Sequence, residues 1–161
     1  MVIVNSSPII SLAKTGKLWL LHKLFDKVII TEQVYEEIMS KPEYPEAIAI
    51  KKTVEHEKWL KIQKSYEISK ILGSEEASSI GLALKLKQSL IIDDKKAVFV
   101  AKTYGIECHG TLYVILEALK KGIIKNKKEA IDAVSQLISH NLYLSTDTLS
   151  EFYSLLEKIK F

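Results

Sequence analysis

The chain has 161 residues, 47% of them hydrophobic and 27% charged, as expected for one soluble globular domain with its own core. Its formal net charge is +3 and all 23 of its Lys and Arg residues are lysines, which excludes bidentate arginine contacts and disfavours sequence-specific readout of nucleic acid. No apolar run approaches the roughly 20 residues of a membrane helix, and one cysteine excludes an intramolecular disulfide, so we expect a cytoplasmic protein with no membrane partner.

The first part of the chain predicts two strands, each leading into a helix. Residues 2–4 are β-branched and form a predicted strand that stops at Asn5. Ser7 followed by Pro8 predicts a helix start, with the Ser7 hydroxyl as N-cap and proline at the first helical position. That helix is expected to end near residue 16. A short second helical piece is expected over 18–24, and the next strand over 27–30.

The rest of the chain continues this alternation. Thr31 is a predicted N-cap for a helix that ends before Pro42, and residues 43–59 keep helical spacing with many charges, which indicates a solvated amphipathic helix. Further strands are predicted at 60–62, 90–92 and 106–109, and further helices from Gly73-Ser74, at 95–104 and 111–121, and at about 127–139 and 147–160. Strands alternating with helices indicate an α/β domain with a mainly parallel sheet.

Two adjacent carboxylates, Asp93 and Asp94, stand where the buried strand 90–92 stops. In open parallel sheets, ligands bind beyond the carboxyl ends of the strands, so the pair is either part of a site or a cap for the next helix. If strands 2–4 and 90–92 are neighbours, Asn5 and Ser7 lie beside Asp93.

Two glutamates lie on helices whose starts are expected at the same carboxyl edge of the sheet as Asp93 and Asp94. Glu37 lies on the helix after strand 27–30, and Glu76 lies in the first turn of the helix that begins after Gly73. Carboxylate oxygens suit Mg²⁺ or Mn²⁺. The alternative is structural, because acids in a first helical turn interact favourably with the helix dipole, by about 0.3–1 kcal/mol each.

Together these segments resemble the PIN-domain family, more narrowly a PIN-like subgroup of prokaryotic proteins. The matching blocks are Asn5-Ser6-Ser7-Pro8-Ile9-Ile10-Ser11-Leu12-Ala13-Lys14-Thr15-Gly16, Val34-Tyr35-Glu36-Glu37-Ile38, Glu76-Ala77-Ser78-Ser79-Ile80-Gly81-Leu82-Ala83, Leu90-Ile91-Ile92-Asp93-Asp94 and Gly110-Thr111-Leu112. They span about residues 2–124, and the C-terminal helices, about 127–160, complete a single PIN-like domain over residues 1–161.

The resemblance implies a three-layer α/β/α sandwich with a four- or five-stranded, mainly parallel sheet. It also implies Mg²⁺- or Mn²⁺-dependent hydrolysis of single-stranded RNA, often by the toxin of a toxin–antitoxin pair. The implied metal ligands are Glu37, Glu76, Asp93 and Asp94 with Asn5, and Ser7 joins them as a neutral catalytic helper. Surrounding lysines would attract the RNA backbone.

One position departs from the usual family pattern, because Asn5 stands where PIN nucleases commonly have aspartate. An amide oxygen can ligate a cation but removes one negative charge from the site. The alternative to a nuclease is therefore a degenerate PIN domain that binds RNA or a protein partner without cleaving.

The C-terminal helix is a candidate surface for binding another protein chain. The last helix either packs on the core, which we favour, or joins a homodimer or antitoxin interface; a homodimer is the expected assembly. Tyr143, Phe152 and Tyr153 are interpreted as packing residues of the last helices rather than platforms for base stacking.

Overall fold

The computed structural model describes residues 1–160, and within that range a five-stranded sheet forms the middle layer. All of its strand pairs are parallel, in the order β3-β2-β1-β4-β5. The strands are β1 (Val2–Val4), β2 (Val28–Thr31), β3 (Leu60–Gln63), β4 (Ser89–Ile91) and β5 (Cys108–His109). The predicted three-layer α/β/α sandwich with a parallel sheet is confirmed.

Helices cover both faces of this sheet. They are α1 (Ser6–Lys14), α2 (Trp19–Leu24), α3 (Glu32–Met39), α4 (Pro45–Lys52), α5 (Ser74–Leu86), α6 (Lys95–Thr103), α7 (Thr111–Lys120), α8 (Lys127–Ser139) and α9 (Thr146–Lys158). The larger core, on one face, takes side chains from every helix except α5 and α6. Those two helices supply the smaller core on the other face.

Side-chain alternation along the strands divides the two cores. Val2 and Val4 point into the larger core, whereas Ile3 between them belongs to the smaller one. Successive side chains of a strand point to opposite faces of the sheet, so a strand covered on both sides must be apolar throughout. This is the physical reason that uninterrupted aliphatic runs predicted the central strands.

The strand order places a topological switch beside β1. The chain builds β1, β2 and β3 in one direction and then returns to lay β4 on the other side of β1. Asn5 N–H donates to Ile91 O at 2.9 Å, so the carboxyl ends of β1 and β4 are adjacent, as predicted. The crevice at such a switch point is where open parallel sheets bind ligands.

The predicted start of the first helix is wrong by two residues. Helix α1 begins at Ser6, Asn5 occupies the N-cap position, and Ser7 lies inside the first turn without capping it. Pro8 is tolerated there because the first-turn N–H groups have no intrahelical partner. Since Asn5 is still bonded to the sheet through its N–H, it is the single residue through which the chain passes from strand to helix.

The predicted helix over 43–59 is present with shorter bounds, and its last turn is π-helical. Helix α4 starts at Pro45 and passes into a π-helical turn, Thr53–Glu57, after which Lys58 adopts a left-handed conformation with φ of 62°. This turn lets the chain reverse into β3 at Leu60. Helical spacing of apolar residues gave no sign of it, because the break depends on backbone geometry.

The C-terminal helix packs on the core as predicted. Phe152 and Leu156 are buried in the larger core, only 2% and 4% exposed. The interpretation of Tyr143 as a packing residue is wrong, because Tyr143 lies between α8 and α9 and is 85% exposed. Among residues 1–160, no helix combines the length and apolar character needed to cross a bilayer.

Candidate active site

A cleft of about 920 Å³ opens at the carboxyl edge of the sheet, where β1 and β4 end. The structure brings to this one cleft all six residues predicted for the site: Asn5, Ser7, Glu37, Glu76, Asp93 and Asp94. Glu75, which precedes Glu76 in the first turn of α5, also lines it. The cleft therefore joins predicted residues that lie up to 89 positions apart in the chain, Asn5 and Asp94.

Asp93 is held in place by the start of α7. Its Oδ1 accepts from Thr111 N–H at 2.8 Å, and its Oδ2 accepts from the Thr111 hydroxyl at 2.6 Å. Burial raises the pKa of Asp93, while the two bonds from Thr111 oppose the rise. Gly110 makes the approach possible, because a Cβ there would lie 2.9 Å from Asp93 Oδ1. Both oxygens of this carboxylate thus have partners within the protein.

Asp94 has a different environment. Its Oδ1 accepts from Ala97 N–H at 2.8 Å and so caps α6, which is one of the two roles that the sequence left open. The residue is exposed and lines the cleft. A capping carboxylate retains further lone pairs for a second partner, so capping and a role in the site are compatible.

The polar residues after β1 are less free than their sequence suggests. Asn5 is buried, and its Oδ1 accepts from the Ser79 hydroxyl of α5 at 3.0 Å. The Ser6 hydroxyl oxygen is buried and has no hydrogen-bond partner among the described residues, whereas Ser7 is exposed at the cleft. Asn5 consequently ties β1 to the helix that carries the glutamates.

Glu37 reaches the cleft because α3 is fastened to α5. The Thr31 hydroxyl caps α3 by accepting from Val34 N–H at 3.1 Å, and it is also 2.8 Å from Ser78 Oγ in a fully buried contact. Since Ser78 donates to Glu75 O, Thr31 is the donor to Ser78. Burial raises the pKa of Glu37, the nearby Ser6 hydroxyl opposes this, and the negative charge of Glu75 adds to it.

Glu76 carries the clearest electrostatic signal in the cleft. Burial, the adjacent Glu75 carboxyl group and the negative charge of Asp94 raise its pKa to about 7, against a partial lowering by its own backbone N–H. Its Oε2 is buried and has no partner among residues 1–160. Gly73 makes room for the pair, because a Cβ there would collide with the carboxylates of Glu75 and Glu76.

Positive charge and a loop complete the walls. The lysines that line the cleft are Lys14 from α1 and Lys95, Lys96 and Lys102 from α6. The segment between α8 and α9, residues 140–145, also lines it. Carboxylates with cations around them suit a phosphate-bearing ligand, because a cation held by the acids and the lysines both attract phosphate.

The donors fit a hard divalent cation in chemical type. Glu37, Glu76 and Asp94 offer carboxylate oxygens, which Mg²⁺ and Mn²⁺ prefer, and the unpartnered Glu76 Oε2 is a buried acceptor without a donor. Within residues 1–160, no three His, Cys, Asp or Glu side chains already converge on one point as a preformed metal centre.

Three contacts at the site were missed from the sequence. They are the bond from Ser79 to Asn5, the bonds from Thr111 to Asp93, and the lining of the cleft by residues 140–145. The Gly110-Thr111 pair was noted as a landmark, and its position after a strand was a usable signal. Nothing in the local pattern of Ser79 distinguishes it from other small residues of a buried helix face.

Comparisons with known proteins agree with this geometry. A family model described as a PIN domain matches residues 1–158. Among solved structures, a PilT N-terminus domain protein, SSO1118, from the hyperthermophilic archaeon Sulfolobus solfataricus P2 is similar with a TM-score of 0.55; it is 18% identical, and the match covers 74% of this chain and 94% of that one. At this identity the likeness shows the fold alone. No curated protein matches the chain.

Proposed function

This chain belongs to the PIN-domain family, and on that premise we propose that it is a Mg²⁺- or Mn²⁺-dependent endoribonuclease. Proteins of the family are generally metal-dependent nucleases, and they include ribonucleases of toxin–antitoxin pairs. The observation that supports the proposal is the buried, unpartnered Oε2 of Glu76 among five further acids of the same cleft. A carboxylate with no partner in an acidic pocket is suited to a cation.

The acids divide by their engagement with the protein. Glu37, Glu76 and Asp94 would hold the cation, which when bound lowers the pKa of an attacking water and neutralises charge on the scissile phosphate. Asp93 serves as a positioning residue through Thr111, and its role as a direct ligand stays a prediction. Asn5 positions α5 through Ser79.

The lysines would bind the sugar–phosphate backbone. Lys95 and Lys96 begin α6 immediately after Asp94, and Lys14 ends α1 on the same cleft. Lysine provides a point charge without the planar fork of arginine. Binding should therefore depend strongly on salt and weakly on sequence.

The test compares neighbouring glutamates on one helix. Glu37 lines the cleft, whereas Glu36 is exposed outside it. We expect Glu37→Gln and Glu76→Gln each to weaken Mn²⁺ binding at least tenfold in calorimetry and to abolish cleavage of a fluorescent single-stranded RNA. Glu36→Gln should change neither. Equal Mn²⁺ binding by all three variants and the wild type would contradict the proposal.

A second function is favoured by the state of Asn5. Its oxygen already accepts from Ser79, and as an amide it brings no charge, which supports a domain that binds RNA or a protein partner without cleaving. Asn5→Asp distinguishes the two, because an aspartate can accept from Ser79 and also restore the charge. Cleavage gained only in Asn5→Asp would support the binding function, and wild-type cleavage lost on chelation would rule it out.

The assembly is a further proposal. We propose that the chain forms a homodimer and, if it is a toxin, a complex with an antitoxin. Large apolar side chains at the surface support an interface, notably Ile71 and Phe99, which are 70% and 71% exposed. Light scattering of wild type and Phe99→Ser tests this, since a monomeric wild type would exclude the homodimer.

A further inference from the structure

Tyr143 is an exposed aromatic side chain on a backbone segment that is anchored on both sides. The residues on either side are anchored: Leu142 is buried and donates its N–H to Leu137 O at 2.9 Å, and Leu144 packs against the larger core. Tyr143 between them is 85% exposed. Because its neighbours turn inward, its own ring must turn outward, and the backbone that carries it is held on both sides.

The end of the segment is also ordered by hydrogen bonds. Asn141, with φ of 75°, donates its N–H to Ile138 O at 3.1 Å and closes α8. Ser145 caps α9 by accepting from Thr148 N–H at 3.2 Å. The ring of Tyr143 is therefore presented from a short, doubly capped connection rather than from a free loop.

This ring lies on the same cleft as the acids and lysines. Among the described residues that line the cleft, the only other ring-bearing side chains are His109 and His140. His109 already stacks on Tyr113, with ring centroids 3.8 Å apart and an interplanar angle of 14°. The Nδ1 of His140 lies within hydrogen-bonding distance, 2.9 Å, of the carbonyl oxygen of Gln136. Tyr143 thus offers the largest unoccupied aromatic face of the cleft.

We propose that Tyr143 stacks on an unpaired base of single-stranded RNA and is a specificity-determining residue of the cleft; the substrate class rests on the nuclease function proposed above. Stacking on aromatic rings holds single-stranded nucleic acid without reading its sequence. It matches a chain with no arginine, whose phosphate contacts come from lysine charges. Bases in a double helix are already stacked on each other, so Tyr143 selects against duplex substrates.

The size of the cleft agrees with this occupant. A single phosphate needs little room, whereas about 920 Å³ is near the upper end of the roughly 300–1,000 Å³ of ordinary small-molecule sites. Phosphates on the lysines and a base on Tyr143 would use the polar and the aromatic wall together.

The test measures binding, so that it does not depend on cleavage. An RNA oligonucleotide carrying one 2-aminopurine is titrated in metal-free, low-salt buffer with wild type, Tyr143→Ala, Tyr143→Phe and the control Tyr104→Ala. Tyr104 is 44% exposed and lies outside this cleft, after the far end of α6. We expect wild type and Tyr143→Phe to bind alike and to quench the fluorophore, Tyr143→Ala to bind about tenfold more weakly with little quenching, and Tyr104→Ala to match wild type.

An oligonucleotide with abasic sites in place of bases separates stacking from charge. Tyr143→Ala and wild type should bind the abasic strand equally, because only phosphates remain. The proposal is overturned if Tyr143→Ala binds the base-bearing strand as tightly as wild type, if Tyr143→Phe loses as much as Tyr143→Ala, or if wild type binds no RNA. If the quenching depends on Tyr143 but the protein cleaves no RNA with Mg²⁺ or Mn²⁺, the stacking role of Tyr143 is supported and only the nuclease function is overturned.

Discussion

The two acidic corners of the cleft differ in how well their carboxylates are satisfied. At the corner between β4 and α7, both oxygens of Asp93 accept hydrogen bonds from Thr111. At the corner between α3 and α5, Glu76 Oε2 is buried without a partner, and its pKa is raised to about 7. The first corner is complete within the protein, whereas the second is complete only with a proton or a bound cation.

This contrast separates stability from function in residues that look alike in sequence. A buried carboxylate that is fully hydrogen-bonded stabilises its surroundings, and removing it leaves unsatisfied donors. A buried carboxylate near other carboxylates costs stability and is retained where a ligand needs it. The two corners should therefore respond in opposite directions when the carboxylate is removed.

The largest effect is expected at the satisfied corner. Asp93→Ala removes both acceptor oxygens and leaves the N–H and the hydroxyl of Thr111 without this partner, and we expect a loss of about 1.5–3 kcal/mol in the free energy of unfolding. Urea denaturation without metal measures it. Asp94→Asn is the control, because asparagine caps a helix as well as aspartate does and should leave stability unchanged. A loss in Asp94→Asn equal to that in Asp93→Ala would contradict the contrast between these neighbours.

An intermediate effect is expected from added methyl groups. In Gly110→Ala the new Cβ would lie 2.9 Å from Asp93 Oδ1, an oxygen that Thr111 holds in place, so we expect a loss of about 1–2 kcal/mol. In Gly73→Ala the new Cβ meets the mobile ends of Glu75 and Glu76, which can move aside. Thermal unfolding should show a lower melting temperature for Gly110→Ala than for wild type. Calorimetry should show an altered Mn²⁺ affinity for Gly73→Ala. Equal loss of stability in both variants would mean that the second corner is as rigid as the first.

The smallest effect is a difference in stability between Glu76→Gln and wild type that appears only as the pH rises. The folded pKa of Glu76, about 7, exceeds its ordinary value of 4.5, so its protonation stabilises the fold fully below pH 4.5 and that contribution is lost as the pH rises to about 7. Glu76→Gln stays neutral, so it should match wild type near pH 4.5 and be more stable at pH 8. Because the side chain is partly exposed, solvent screening keeps the gain below about 1 kcal/mol.

Melting temperatures of the two proteins in a chelating buffer, measured from pH 4.5 to 8, test this sign. A difference that stays constant over that range would show that Glu76 does not titrate as described. Added Mn²⁺ should reverse the order at pH 8, because only wild type gains from the cation.

Much of the fold followed from local sequence patterns. Continuous aliphatic runs at β1, β2 and β4 indicated strands covered on both faces, and Thr31 was a predicted cap that the structure confirms. These features could be predicted because an aliphatic run and a capping side chain are each visible within a few consecutive residues. The start of α1 was wrong and the π-helical turn after α4 was not predicted, since the spacing of apolar residues does not fix where a helix begins or how its last turn winds.

The candidate residues were found, but their division of labour was not. The acids at positions 37, 76, 93 and 94 were predicted for one site from their places at strand ends and helix starts, and all four line one cleft. Whether an acid is satisfied depends on a donor far away in the chain. Thr111 lies 18 positions from Asp93, and Ser79 lies 74 from Asn5.

The sequence by itself determined the order of strands and helices and which polar residues reach the carboxyl edge, because side-chain periodicity and capping are local properties. Only the tertiary structure decided which carboxylate keeps a free oxygen and which aromatic ring stays in water. Asp93 and Glu76 are both acids near a helix start, and Tyr143 and Phe152 are both aromatic residues near the C-terminus. In each pair the packing of distant segments left one member without a partner, at the cleft where a ligand would supply it.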